Sequence, residues 1–274
     1  MSKISIRELQ LFQLDILKEL DRICKKCDIQ YTLAYGSCLG AVRHQGFIPW
    51  DDDIDVQMTI DNYNKFTEAC KTELGNAFYF QSHEQNPLTY VYWNRIGVKN
   101  STSINLNMSH IHTEWGICID IFPIFLASET RLEKTKKYVR VLDLLSQKYY
   151  HINTTKDAVG SQKLKKMVHG LLPDCCNIRL FRHCLKKLSN LQGDETIALV
   201  NTAISLTDEF RKDIFDEVID LPYENMKLPC VKDYDYYLKK LYGDYMKTPD
   251  VIETHTGGEE MLVILDEPYT NYLK

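Results

Sequence analysis

The stretch Pro49-Trp50-Asp51-Asp52-Asp53-Ile54-Asp55-Val56 decides how this chain is read. Four carboxylates within five positions raise one another's pKa, and they oppose folding unless a cation or basic partner offsets them. From Ile54 to Met58 the residues alternate over a short run, as in a half-buried strand. That places Asp53 and Asp55 on one side and turns Ile54 and Val56 to the core. Two carboxylates on the same side of a strand suit Mg2+ or Mn2+, hard cations that take oxygen ligands and are often shared with substrate phosphates. On the D-x-D alone, a solvated acidic loop or a calcium loop without catalytic duty is the better reading.

The surroundings change that balance. Upstream, Tyr31, Leu33 and Tyr35 alternate with Thr32 and Ala34 in a strand-length run that stops at Gly36-Ser37, where a helix is expected to begin. Backbone N–H groups at such a turn and helix N-terminus can hold a phosphate. Downstream, Ile117 to Ile121 reads as another apolar strand and carries a third carboxylate, Asp120. Further outward, Ser5 and Glu8 have the spacing of a capping box, followed by apolar residues Leu9, Phe12, Ile16, Leu20 and Ile23 on one helical face. Asp61 is expected to cap a helix through Tyr63, Phe66 and Cys70, and Phe78–Phe80 and Tyr90–Trp93 read as strands. The fold class is α/β (α+β). A catalytic core is expected over 1–125 and a mainly helical region over 126–274, which completes the site and binds the acceptor.

Composition bounds the rest. With 274 residues, 44% apolar and 26% charged, the chain can bury a sizeable core, which excludes wholesale disorder. It has no apolar run long enough to span a membrane and no export signal at its start, so a cytoplasmic location is expected. Nine scattered cysteines then read as reduced thiols, and Cys24 and Cys27, a C-x-x-C inside a helical pattern, as structural. The net charge of −5 hides an asymmetry: from Arg131 to Lys187 there are 14 Lys and Arg against 4 Asp and Glu, a local +10. This segment is either a solvated helical face or a contact with an anionic membrane surface or acceptor. No nucleic-acid partner is expected.

Three blocks carry a family resemblance: Ala34-Tyr35-Gly36-Ser37-Cys38-Leu39-Gly40-Ala41-Val42-Arg43-His44, Gly46-Phe47-Ile48-Pro49-Trp50-Asp51-Asp52-Asp53-Ile54-Asp55, and Asp120-Ile121-Phe122-Pro123. Leu221-Pro222-Tyr223-Glu224, Asp233-Tyr234 and Tyr242-Gly243-Asp244-Tyr245-Met246 extend it to the C-terminal end. Together they resemble the LicD family of phosphotransferases, related to fukutin within the nucleotidyltransferase superfamily. The resemblance implies a nucleotidyltransferase-fold core: a mixed sheet flanked by helices. It also implies transfer of phosphocholine from CDP-choline, or a similar CDP-alcohol, to a hydroxyl of a bacterial cell-surface glycan such as teichoic acid or lipopolysaccharide. A lipid-linked acceptor would bring the basic segment to the inner membrane face.

By the same resemblance Asp53 and Asp55 hold the metal, with Asp120 a third ligand or the base. Gly36, Ser37, Arg43, Asp51, Arg95 and Lys99 are candidates for the substrate phosphates. Relatives often carry paired histidines after the tyrosine-glycine-aspartate block, and this chain has His255 alone. Trp50, Trp93 and Trp115 are candidate aromatic faces for a quaternary ammonium. The alternatives are a nucleotidyltransferase acting on a small molecule and a glycan- or metal-binding module without turnover.

Overall fold

The computed structural model describes residues 4–148, 167, 170–200, 208–248 and 260–274. Helix α1 (Ile6–Cys27) starts with the expected capping box: Glu8 N–H donates to Ser5 Oγ, and Ser5 N–H donates to the Glu8 carboxylate. Leu9, Ile16, Leu20 and Ile23 are buried on its inner face, and Phe12 packs at the edge of the core. Strand β1 (Thr32–Leu33) is shorter than predicted because Tyr35 adopts a left-handed φ of 43° and opens helix α2 (Tyr35–His44). Gly36-Ser37 therefore lies in the first turn of α2, not in a turn ahead of it. The left-handed Tyr35, costing about 1–2 kcal/mol, is held by its N–H, which donates to Tyr237 Oη at 3.2 Å.

Strand β2 (Asp55–Thr59) leads into α3 (Ile60–Glu73). Thr59 occupies the cap position, and Asp61 sits in the first turn, where its charge complements the helix dipole. Strands β3 (Phe78–Gln81), β4 (Asn94–Val98), β5 (Thr102–Asn105) and β6 (Cys118–Ala127) follow. One expected strand, Tyr90–Trp93, does not form. Tyr90–Trp93 is connecting chain whose aromatic rings pack on Trp115, Phe122 and Phe125, and the strand is the next five residues, Asn94–Val98. Asn, Arg and Gly give that strand little β signature, yet Gly97 is required, since a Cβ there would lie 2.4 Å from the Tyr79 ring.

The main sheet runs β1-β2-β6-β4-β3, and β7 (Ile197–Val200) and β8 (Asp208–Arg211) extend the far end of β6. Among the described residues only β2 and β6 pair in parallel within it. Pro123 falls in β6 between the β4 ladder, which ends at Ile121, and the β7 ladder, which begins at Phe125. A missing N–H costs least at such a break. Helices α1 and α3 touch each other and pack on β2, β4 and β6.

Beyond β6, α4 (Leu132–Ser146), α5 (Asp174–Leu188) and α6 (Tyr234–Tyr242) form most of the regular structure. The sequence reading did not anticipate the five strands there: β7, β8, the hairpin β9 (Val218–Tyr223) and β10 (Met226–Val231), and β11 (Met261–Ile264), which pairs with β5. Strand β6 runs through position 126. The class is the expected mixed α+β. All nine cysteines are free thiols, and no helix among the described residues is long and apolar enough to cross a membrane.

Candidate active site

Register builds the site. Asp55, the first residue of β2, lies opposite Asp120 of β6; Asp120 lies opposite Arg95 of β4; and Arg95 lies opposite Gln81 of β3. Directly opposed residues share a face of the sheet, so Asp55, Asp120, Arg95 and Gln81 form one polar row across four strands. Backbone bonds set the row's acidic end, with Asp120 N–H donating to Ile54 O at 3.0 Å and Ala34 N–H to Asp55 O at 2.9 Å.

The chain just before β2 brings more charge. One oxygen from each of Asp51, Asp52 and Asp53 lies within 4.8 Å of the others. Gln10 of α1 donates to Asp51 O and Gln13 to Asp52 O, so the helix fixes this loop by its backbone. Gly36 is needed beside it, because a Cβ at that position would stand 2.6 Å from Asp51 Oδ2. Its small size admits the Asp51 carboxylate against the first turn of α2, where the helix dipole favours an anion.

The electrostatics reflect this crowding. The Asp55 carboxyl is pushed well above the usual range, first by burial and then by Asp53, Asp120 and Asp51, against the opposing pull of Arg95. Burial also pushes Asp51 up to about 6, despite a hydrogen bond with Asp53 that lowers it. Arg95 Nε donates to Asp120 Oδ1 at 2.6 Å, its Nη1 donates to Tyr90 Oη at 3.1 Å, and the guanidinium lies 5.1 Å from the Tyr90 ring centre. One arginine among so many carboxylates leaves an excess of negative charge, and the oxygen-only donor set fits a hard divalent cation.

The other expected residues separate into near and far. Ser37 is buried; its Oγ accepts Asp55 N–H at 2.9 Å and meets the Tyr223 hydroxyl. Arg43, at the end of α2, donates to Tyr245 O at 2.7 Å and lies 6.0 Å from the Trp50 ring centre. Lys99 bonds Asn76 O at the opposite end of the β3–β4 pair. It stands about 13 Å along β4 from Arg95, at ~3.3 Å per residue, and does not line the cleft. His255 lies outside the described residues. Of the three tryptophans, Trp50 stands beside His44 and Trp93 packs on Phe122. Trp115 lines the cleft.

Several participants were not among the expected site residues, although Tyr223 and Glu224 belong to the C-terminal block that carries the resemblance. Glu224 accepts a two-pronged bond from Arg7, with Nη1 to Oε1 at 2.8 Å and Nη2 to Oε2 at 2.6 Å, and also accepts Phe47 N–H at 3.3 Å. Tyr223 packs on Phe47. The turn of the β9–β10 hairpin thus clamps the connection that delivers Asp51–Asp53, which gives the C-terminal block Leu221–Glu224 a physical reason. Tyr90 and Glu114 are the other additions, beside the expected Trp115. They line a cleft of about 290 Å³ together with Asp53, Arg95 and Asp120.

Carboxylates gathered at one end of a cleft, with a paired arginine and a helix N-terminus beside them, are the equipment of an enzyme that handles phosphate groups. The family model described as "LicD/FKTN/FKRP, nucleotidyltransferase domain" matches residues 28–152, which contain this row. The lipopolysaccharide cholinephosphotransferase LicD of Haemophilus influenzae is 28% identical over 268 residues, covering 91% of this chain and 94% of that protein. Uncharacterized proteins of Rickettsia prowazekii and Rickettsia typhi are each 46% identical over 50 residues, 18% of this chain and 18% and 16% of theirs. Residues 28–152 thus resemble the LicD family, and the likeness over nearly the whole length indicates a phosphotransferase.

Proposed function

We propose that this enzyme transfers phosphocholine from CDP-choline to a hydroxyl of a cell-surface glycan of the lipopolysaccharide kind. The observation that carries the proposal is the register of β2, β6 and β4, which sets Asp55, Asp120 and Arg95 side by side, the last two lining a cleft together with Asp53. The likeness over nearly the full length to a protein named as a lipopolysaccharide cholinephosphotransferase supports the choice of group and acceptor.

Asp53, Asp55 and Asp120, with Asp51 beside them, would hold Mg2+ or Mn2+, which supplies neutralisation of the diphosphate and of the departing CMP. The remaining work falls to the chain. Arg95 occupies one oxygen of Asp120 and fixes its orientation, so Asp120 serves as a ligand through the other oxygen. The Ser37 hydroxyl is engaged with Asp55 and Tyr223. Gly36 and Ser37, in the first turn of α2, therefore serve to seat Asp51 and Asp55 rather than to hold a phosphate directly. Arg43 would serve the nucleotide side, and Lys99 takes no part.

The basic segment has a narrower role than its composition suggests. Arg131, Lys136, Lys148 and Arg182 pair with Asp194 and Glu195, Glu209, Asp174 and Glu84 respectively. Lys134, Lys137, Arg140 and Arg179 have no such pair among the described residues and would face an anionic membrane carrying a lipid-linked acceptor. Flotation with anionic vesicles tests that contact, and no binding would remove it.

The function itself is tested by release of CMP from CDP-choline, with and without Mg2+, in the presence of a lipid-linked glycan. Magnesium-dependent release that is lost in Asp53→Ala/Asp55→Ala is expected. Release of pyrophosphate from a nucleoside triphosphate instead would turn the reading to nucleotidyl transfer.

A further inference from the structure

Resting on the reading of the acidic end as a cation site, we propose that Gln13 of α1 is a positioning residue for that cation. Its side-chain oxygen accepts a hydrogen bond from the hydration shell of a divalent ion held by Asp53 and Asp120. Gln13 lies outside the matched residues 28–152 and is not among the expected site residues. It follows Gln10 by one helical turn on the buried face of α1, and the two are 4% and 2% exposed.

The hydrogen bonds of Gln13 fix which end of its amide faces where. Nε2 donates to Asp52 O at 3.1 Å and, more weakly, to Cys118 O at 3.5 Å. Turning the amide over would set Oε1 against carbonyl oxygens with no proton between them, so the oxygen points away from them. There it is shut off from solvent and has no hydrogen-bond partner among the described residues. A buried acceptor without a donor is rare and costly. Gln10 is the contrast: its Nε2 donates to Ile48 O at 3.1 Å and Asp51 O at 2.8 Å, while its Oε1 accepts from Arg7 Nη1 at 3.3 Å.

The surroundings decide which donor suits the Gln13 oxygen. Gln13 lines the cleft with Asp52, Asp53, Cys118 and Asp120. Ionised carboxylates offer no hydrogen, and Arg95, the one basic residue lining the cleft, already donates to Asp120 and Tyr90. Phosphate oxygens of a nucleotide are acceptors too. A donor that suits so much negative charge brings positive charge with it, and Mg2+ bound through one or two carboxylates keeps several waters. A protein acceptor in that outer layer orients the site and raises its affinity for the ion. The same side chain ties the Asp51–Asp53 loop to β6 just before Asp120, so it spans both segments that carry the carboxylates.

The test is Mn2+ affinity in the absence of substrate, read from the electron paramagnetic resonance signal of free Mn2+, in wild type, Gln13→Met and Gln10→Met. Each variant gives up two bonds to backbone carbonyls, one of them in the Asp51–Asp53 loop, and only Gln13→Met also gives up the acceptor at the cleft. Gln13→Met is expected to weaken Mn2+ about tenfold or more, and Gln10→Met several-fold less. Equal losses would overturn the inference and leave Gln13 an anchor of the loop. Wild-type affinity in Gln13→Met would overturn it as well, and a raised KM for the glycan in that variant would give the oxygen to the attacking hydroxyl instead. Far-ultraviolet circular dichroism establishes that each variant is folded; should Gln13→Met fail, Gln13→Asn, which draws the oxygen back by one methylene, takes its place. Wild type that binds no Mn2+ would overturn this inference together with the metal of the proposed function. Wild type that binds Mn2+ but releases no CMP from CDP-choline would overturn the choice of donor substrate alone, and the Mn2+ affinities would still decide the role of Gln13.

Discussion

Replacing Asp55 by Asn should make the metal-free protein more stable and leave it inactive. In the folded state the Asp55 carboxyl sits well above its ordinary pKa, chiefly through burial, then through Asp53, Asp120 and Asp51. A carboxyl raised in this way destabilises the fold at every pH above its unfolded value of about 3.9. The penalty grows as pH rises from there and levels off above the folded value. Two like charges ~5 Å apart at an effective dielectric of ~20 repel by about 3 kcal/mol. Arg95 offsets part of that sum, so a net gain of roughly 1–3 kcal/mol is expected for the neutral amide, or about 2–10 °C in Tm. Scanning calorimetry at pH 7.5 in EDTA measures it, and a repeat with Mg2+ should stabilise wild type and leave Asp55→Asn unmoved. A lower Tm for the variant in EDTA would refute the claim that the row carries uncompensated negative charge.

Three other perturbations probe the supports of the site. Arg95→Met removes the partner of Asp120 and should destabilise the protein by about 3 kcal/mol, since it strands an enclosed charge; turnover should fall more than tenfold, and an unchanged kcat would show that Arg95 does not position Asp120. Gly46→Ala puts a Cβ 2.5 Å from Glu224 Oε1, a carboxylate already clamped by Arg7, and should cost about 1–3 kcal/mol. A double-mutant cycle with Glu224→Ala should show coupling of at least ~0.5 kcal/mol, and strict additivity would remove the clash. His83 is buried between Thr89 O, 3.0 Å from Nδ1, and the Asn177 side chain, 2.9 Å from Nε2, and burial lowers its pKa below 6.5. The unfolded chain therefore takes up a proton first as pH falls through 6.5, and stability should drop by up to about 1.4 kcal/mol per pH unit until the folded ring also titrates. His83→Gln should flatten that limb of a urea-denaturation series, and an unchanged slope would assign it to other groups.

What could be read in advance was local, and what could not was register. The capping box at Ser5 and Glu8, the apolar face of α1 and the alternation around Asp55 depend on neighbours within a few positions, and each appears in the structure. Tyr90–Trp93 misled because aromatic residues favour strands, whereas here they fill space behind the sheet and leave the pairing to Asn94–Val98. The short strands β7–β11 have only four to six residues, too few to show a period against a helical background. Arg95 could be suspected as a cation after an apolar run, but its position beside Asp120 is a fact of cross-strand pairing, as is the approach of Glu114 through Gln81.

The single parallel pairing explains why the carboxylates meet at all. Asp55 is the first residue of β2 and Asp120 the third of β6, so both stand near the starts of their strands. Parallel alignment puts those starts at the same edge of the sheet, whereas an antiparallel pair would send the two carboxylates to opposite edges. Parallel neighbours need a long crossover, and the chain between β2 and β6 is where α3, the β3–β4 pair and the two connections bearing Tyr90 and Glu114 are inserted. One topological choice therefore sets the acidic end of the cleft and supplies the segment that builds its other wall.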